Sequence, residues 1–370
     1  MSAENESVPG KRMLELDILR GFAMLVVVCS HVTSVAIENL RPGRGHFLAT
    51  MLHDMYTFSV PVFFLVGALL SAYSLAERPS VHYIWPYYKK KLTRLFLPYL
   101  AWSLIYILFN IAVEKLHWSD LLSFDNWFLW ISQGRAYDHL YYMIVICQFH
   151  LLFPLLMKIA RTVKDKPVLA FIIVIGGHHV IYWLNKLWLS ETFPYFQNSV
   201  FWYFSIIFLG LYIGLNYQKA CLWLHKNFFP VAALCLVSAA GYFYMRYLEY
   251  YNIPYHTYFQ FTIRLVYVTT LPLCILELVR RFNVARAWVG RRLLWIGRYS
   301  LGIYMAHPLL NFYFRQWVTI RDLAPLMLIC AEQIIMFTVV CGFLTIILER
   351  FPLTAWLVGA KPERLRHKGS

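Results

Sequence analysis

Apolar residues run along this chain in long, nearly unbroken stretches separated by short polar segments. Ten such stretches fall at about residues 17–37, 52–74, 95–114, 139–159, 168–186, 198–217, 228–247, 258–278, 293–314 and 325–348. A helix rises about 1.5 Å per residue, so roughly 20 apolar residues cross the hydrocarbon core of a bilayer. The ten-residue alternating segments of a transmembrane barrel are absent from the pattern. In lipid, an α-helix satisfies its own backbone donors and acceptors, which is why spanning stretches can stay apolar all round. The pattern therefore predicts an all-α, polytopic helical membrane protein with about ten transmembrane helices.

Charge sets its orientation. Only 14% of the residues are charged, against 60% hydrophobic, yet the net charge is +15. With the amino terminus inside, 22 Lys and Arg residues fall in cytoplasmic segments and seven in outer ones. Cationic loops are retained on the cytoplasmic side, so both termini are expected there. The positive charge thus needs no nucleic-acid partner. The first apolar stretch carries Asp17, Arg20 and His31, which argues against a cleaved leader. The expected organisation is a disordered cytoplasmic tail at 1–13, a transmembrane domain at 14–349, and an interfacial segment with a basic cytoplasmic tail at 350–370.

Several polar residues interrupt the apolar stretches, where an ionisable group is costly and usually functional. Arg20 and His31 lie eleven residues apart in LDILRGFAMLVVVCSH. That spacing is close to three turns, so both project from one stripe, about 16 Å apart along the axis. Asp17 sits one turn before Arg20, within reach of an ion pair. Lys89, Lys90, Lys91 and Arg94 cluster at the mouth of the third span, positions that serve orientation or grip phosphates. In LLWIGRYSLGIYMAHPLL, Ser300, Tyr304 and His307 share one helical face. Gly297 and Gly302 there allow close helix approach. Arg264 and Glu332 are expected to pair in the outer half of the membrane. Gln148, His150, His178 and His179 read as hydrogen-bonded polar residues near an interface, and Trp118, Trp127 and Trp130 as interfacial anchors.

The seven cysteines lie scattered in apolar stretches with no metal-ligand spacing. There is no H-E-x-x-H, no G-x-x-x-x-G-K phosphate loop, no G-x-G-x-x-G and no G-x-S-x-G elbow. Metal hydrolysis and ATP-driven transport are therefore not supported.

Taken in order, these motifs resemble the integral-membrane acyltransferase-3 family over nearly the whole chain. The family's R-x10-H is matched by Arg20 and His31. Its F-x-x-S-G stretch is met by FFLVG, with Val66 in place of the serine and Gly67 retained. Its R-x-x-R becomes Lys91-Leu-Thr-Arg94. Its late motif is matched by Ile296, Gly297, Ser300, Ile303, Tyr304 and His307. The resemblance implies an O-acetyl- or O-succinyltransferase for bacterial surface glycans, of the enterobacterial common antigen or poly-N-acetylglucosamine type, in the inner membrane. It implies acyl-coenzyme A as co-substrate, no further cofactor, and a glycan or lipid-linked glycan as acceptor. A homo-oligomer remains open. Arg20, Lys91 and Arg94 would hold the donor, His31 would act as general base or as a transient acyl carrier, and Asp17, Ser300, Tyr304 and His307 would support them. A flippase for a lipid-linked glycan and a non-catalytic partner of a glycan synthase are the alternatives.

Overall fold

The computed structural model describes residues 13–75, 84–193, 195–319 and 321–360. Of the tail expected at 1–13, residues 1–12, and of the segment expected at 350–370, residues 361–370, lie outside the described residues, as does Arg78. No strand occurs among the described residues. The first half comprises α1 (Leu14–Asn39), α2 (Arg44–Met55), α3 (Ser59–Leu75), α4 (Ile84–Lys91), α5 (Leu97–Ala112), α6 (Phe124–Ser132), α7 (Tyr141–Thr162) and α8 (Pro167–Leu184). The second half comprises the single turn α9 (Ser190–Thr192), then α10 (Phe204–Leu215), α11 (Tyr217–Lys226), α12 (Phe228–Tyr250), α13 (Thr257–Arg281), α14 (Trp288–Arg298), α15 (Ser300–Trp317) and α16 (Leu323–Arg350).

Every expected span overlaps a helix, but the ninth, 293–314, is broken at Tyr299 into the end of α14 and most of α15. Among the described residues, eight helical segments are long and apolar enough to cross a membrane alone. The other two are α10 and α15. α10 has 12 residues and is buried on nearly all sides, so its neighbours supply the apolar surround. α15 has 18 residues but carries His307, Asn311 and Arg315, which lower its hydropathy.

Helix α1 forms the axis of the bundle. Leu16, Leu19, Met24, Val28, Val32 and Val35 are buried around its circumference, as expected of a helix enclosed by others. It packs against α3, α13, α14, α15 and α16. Helices α8 and α12 sit at the periphery, with Phe171, Leu236 and Val237 exposed as side chains facing lipid would be.

Small residues set the closest contacts. Between α1 and α14, a Cβ on Gly21 would strike the Leu293 carbonyl, and one on Gly297 would strike the Asp17 carbonyl. Backbone therefore lies directly on backbone at this crossing. Gly302 rests on the side chain of Thr345 of α16. Gly210 and Gly214 of α10 lie over Ala68 and Ala72 of α3, a pair of small-xxx-small faces of the type that draws membrane helices together.

The segment after α16 packs onto the bundle. Ala355 and Val358 are buried, and the Trp102 indole of α5 donates to the Leu357 carbonyl at 3.0 Å. Gly359, with φ 69°, leaves no room for a Cβ beside the Arg94 carbonyl. Residues 355–359 are thus pinned against α5 and the start of the third span.

Gly297→Ala should lower thermal stability in detergent by the equivalent of about 1–3 kcal/mol, because neither backbone can yield. Gly176→Ala, with nothing within 4 Å of the added Cβ, should leave the melting temperature unchanged or raise it slightly. Equal melting temperatures for both variants would overturn the packing argument.

Candidate functional site

A cavity of about 1300 Å³ opens at the basic end of the bundle, above the range usual for drug-sized ligands. Its wall carries five cations, Arg20, Lys90, Lys91, Lys164 and Lys219, and one carboxylate, Asp17. The rim is made by Tyr217 and Lys219 of α11 and by Lys164, and the roof by Tyr142, Met143 and Tyr304. Gly67 of α3 lines the middle, so the glycine retained from the family motif borders the open space. At the rim the Tyr217 hydroxyl donates to Glu15 at 2.8 Å. Burial and the neighbouring carboxylate raise that phenol above its ordinary pKa, so it stays a donor.

The expected cationic residues divide. Lys91 lines the cavity, with its ammonium 5.5 Å from the centre of the Tyr87 ring. Arg94 is not among the lining residues. Residues Leu92–Phe96 form a π-helical turn, whose wider coil rotates Arg94 away from the face that three residues of α-helix would share with Lys91. Lys90 and Lys164 stand on the wall instead.

The two polar stripes read from the sequence face each other. Arg20 of α1 donates to the Ser300 hydroxyl at 3.1 Å and pairs with Asp17 at 3.4 Å. Eleven residues on, the His31 ring lies 5.0 Å from that of His307, centre to centre. Arg20 to His31 and Ser300 to His307 both run from the basic end outward, so α1 and α15 are parallel along this seam. The Gly21–Gly297 contact beside it holds the two stripes in register.

His31 itself does not line the cavity. Tyr304, whose ring lies 6.0 Å from that of His307, stands at the roof, and His31 lies beyond this layer. On the outer side, Arg315 bridges Glu38 at 3.0 Å and Ser34 at 3.5 Å. His53 meets Thr33 at 3.2 Å.

A third imidazole joins them. His139 is buried, with its ring 6.0 Å from that of His307 and 5.2 Å from that of Tyr304. The Tyr304 hydroxyl donates to the His139 carbonyl. The expected span 139–159 begins at this residue. The structure draws it inward through a turn at Gly134, φ 66°, whose missing Cβ admits the backbone of Tyr141. Asn110 donates to the Ala136 carbonyl at 3.1 Å, and Tyr137 packs on Tyr106. The glycine in SQGRAYDH was the available signal. Both nitrogens of His139, Nε2 of His307 and Oδ1 of Asn311 have no hydrogen-bond partner among the described residues. Leaving a buried polar atom unpaired costs about 1–3 kcal/mol, so this cluster is maintained against stability. The three rings do not form a metal site: no such group of ligands occurs among the described residues.

Other expectations resolve locally. Arg264 donates to Thr57 at 3.0 and 2.9 Å, and the expected pair with Glu332 does not form. Glu332 is exposed on α16, because the face of that helix turned outward holds it away from α13. His150 meets the Tyr87 hydroxyl at 2.6 Å and lines the cavity, so it belongs to the inner half. His178 stacks on Phe261. Gln148 accepts from the Val200 amide at 2.8 Å. Trp118 is exposed, whereas Trp130 is buried against Trp127. All seven cysteines are free.

Comparison with known proteins agrees with this arrangement of motifs. A "Probable poly-beta-1,6-N-acetyl-D-glucosamine export protein" of Staphylococcus epidermidis is 24% identical over 96% of this chain and 97% of its own. A protein of the same description from Staphylococcus aureus (strain MSSA476) is 21% identical over 96% and 98%. No solved structure matches. The family model described as "Acyltransferase domain" matches residues 13–348, nearly the full helical bundle, and the chain is a multi-pass membrane protein of the acyltransferase-3 family.

Proposed function

We propose that this protein is a membrane O-acyltransferase that moves an acetyl or succinyl group from cytoplasmic acyl-coenzyme A to a hydroxyl of a cell-surface or lipid-linked glycan. The observation that carries the proposal is the cationic cavity at the basic end, which leads toward a buried imidazole cluster. Coenzyme A is polyanionic and cytoplasmic. Five cations against one carboxylate raise its local concentration at the mouth. Lys90, Lys91 and Lys164 meet its phosphates as point charges, and Arg20 offers a planar fork deeper in. The pantetheine arm then carries the thioester to the roof at Tyr304. Transfer requires the Tyr142–Tyr304 layer to part, since the cavity ends on it.

His31 acts as general base. Its neutral imidazole takes the proton of a sugar hydroxyl. The hydroxyl oxygen attacks the thioester carbonyl, the carbon–sulfur bond breaks, and the departing thiolate takes up a proton to give free coenzyme A and the ester. The relatives' description as poly-N-acetylglucosamine export proteins supports a glycan acceptor of that kind. The same description favours a second reading, export of the glycan itself. A continuous passage would be needed for that, whereas the residues lining the cavity belong to the inner half of the bundle.

His31→Ala should elute as a folded protein but lose acyl transfer by on the order of 10²–10⁴-fold; near-normal turnover removes the base assignment. Lys91→Ala should raise KM for acetyl-coenzyme A with little change in kcat, and by more than Arg94→Ala does. Consumption of neither acetyl- nor succinyl-coenzyme A by the purified protein with a β-1,6-linked N-acetylglucosamine oligomer favours export. In a variant lacking the native cysteines, Ser74→Cys should react with a membrane-impermeant maleimide from the cytoplasmic side, with protection by coenzyme A. Labelling from the outside would reverse the assigned orientation.

A further inference from the structure

The hydrogen bonding of His307 determines where its proton sits. Its Nδ1 lies 2.9 Å from the carbonyl oxygen of Ile303, one turn earlier on α15. A carbonyl only accepts, so Nδ1 carries the hydrogen. In the neutral ring Nε2 then has a bare lone pair. That atom is fully buried and unpartnered among the described residues. The neighbouring ring at 5.0 Å is His31, for which no intrahelical spacing supplies an orienting group: Asp17 is about four turns away.

We propose that His307 is the positioning residue of His31: its Nε2 accepts the N–H of His31 and leaves the other nitrogen of His31 as the base. This rests on the reading of His31 as general base. The ring centres are 5.0 Å apart and the planes tilted by 59°, so the proposed bond forms by reorientation of the rings, in keeping with the loose contacts of unliganded sites. The chain is Ile303 carbonyl, His307, His31, each link setting the proton of the next. It does for an embedded imidazole what a carboxylate does in a hydrolytic triad, with no second charge to bury in the membrane. Its geometry comes from α15 alone, because Nδ1 bonds back to its own helix. Tyr304 and His139 close the other sides of the His307 ring.

The test uses the full chain in lipid nanodiscs, labelled with ¹⁵N-histidine, as wild type, His307→Phe and His307→Gln. Glutamine places an acceptor oxygen near the position of Nε2; phenylalanine fills the space without one. The wild-type spectrum should show His307 protonated at Nδ1 and His31 in a single tautomer. His307→Phe should leave His31 averaged between tautomers, and lower kcat with acetyl-coenzyme A and the β-1,6-linked N-acetylglucosamine oligomer by about 10²-fold or more with KM unchanged. His307→Gln should restore the single tautomer and much of kcat. A wild-type His307 protonated at Nε2, or a His31 spectrum unchanged in His307→Phe, overturns the proposal. Should wild type consume no acyl-coenzyme A, the transfer reading fails, and the nitrogen spectra still decide the proton positions.

Discussion

The contact of α1 with α14 at Gly21 and Gly297 governs the geometry of everything around it. With no Cβ on either side, the two backbones touch, and α15 follows α14 after a break at Tyr299. The start of α15 is thereby held against α1 at the level of Arg20, and seven residues later His307 arrives beside His31. Any larger residue at the crossing would push α15 outward, separating Arg20 from Ser300 and His31 from His307 together. The membrane makes this dependence strong. Helices in lipid gain little from burying apolar surface, so close packing of small residues and a few polar contacts must hold them.

Polarity is distributed unevenly along that seam. Toward the basic end, Arg20, Lys90, Lys91 and Lys164 face a cavity in which water and anions can screen them. Beyond Tyr304 the imidazoles of His139 and His307 are enclosed, and their free nitrogens meet no partner among the described residues. A dry, low-dielectric site strengthens every dipole placed in it. In the proposed reaction the two halves would take different tasks, the cationic one holding the donor and the enclosed one carrying the imidazoles to the acyl carbonyl. Tyr304 belongs to both, lining the cavity and bonding the His139 carbonyl through its hydroxyl.

Much of the bundle was legible from the pattern of apolar stretches, and the pairing of polar residues within one helix was legible from spacing. Arg20 with Asp17, and Ser300 with Tyr304 and His307, follow from a period of 3.6 residues. Arg94 stands outside the cavity lining on a π-helical turn, whose wider coil sequence spacing does not reveal. Arg264 found Thr57 rather than Glu332 because partners on different helices are chosen by rotation about each axis, which apolar content alone does not encode. His139 was hidden by a loop whose single glycine turns the chain inward.

By itself the sequence determined that the chain crosses a membrane many times, which end is basic, and which stripe of α1 carries a cation and an imidazole. Those properties depend on hydrophobicity, charge and a fixed helical period, all local quantities. Only the tertiary structure decided that the stripe of α1 meets the stripe of α15, that His139 joins them, and that Nε2 of His307 is buried with no partner among the described residues. These depend on where helices cross and how loops turn, and such distances arise only when residues far apart in the chain exclude one another's volume.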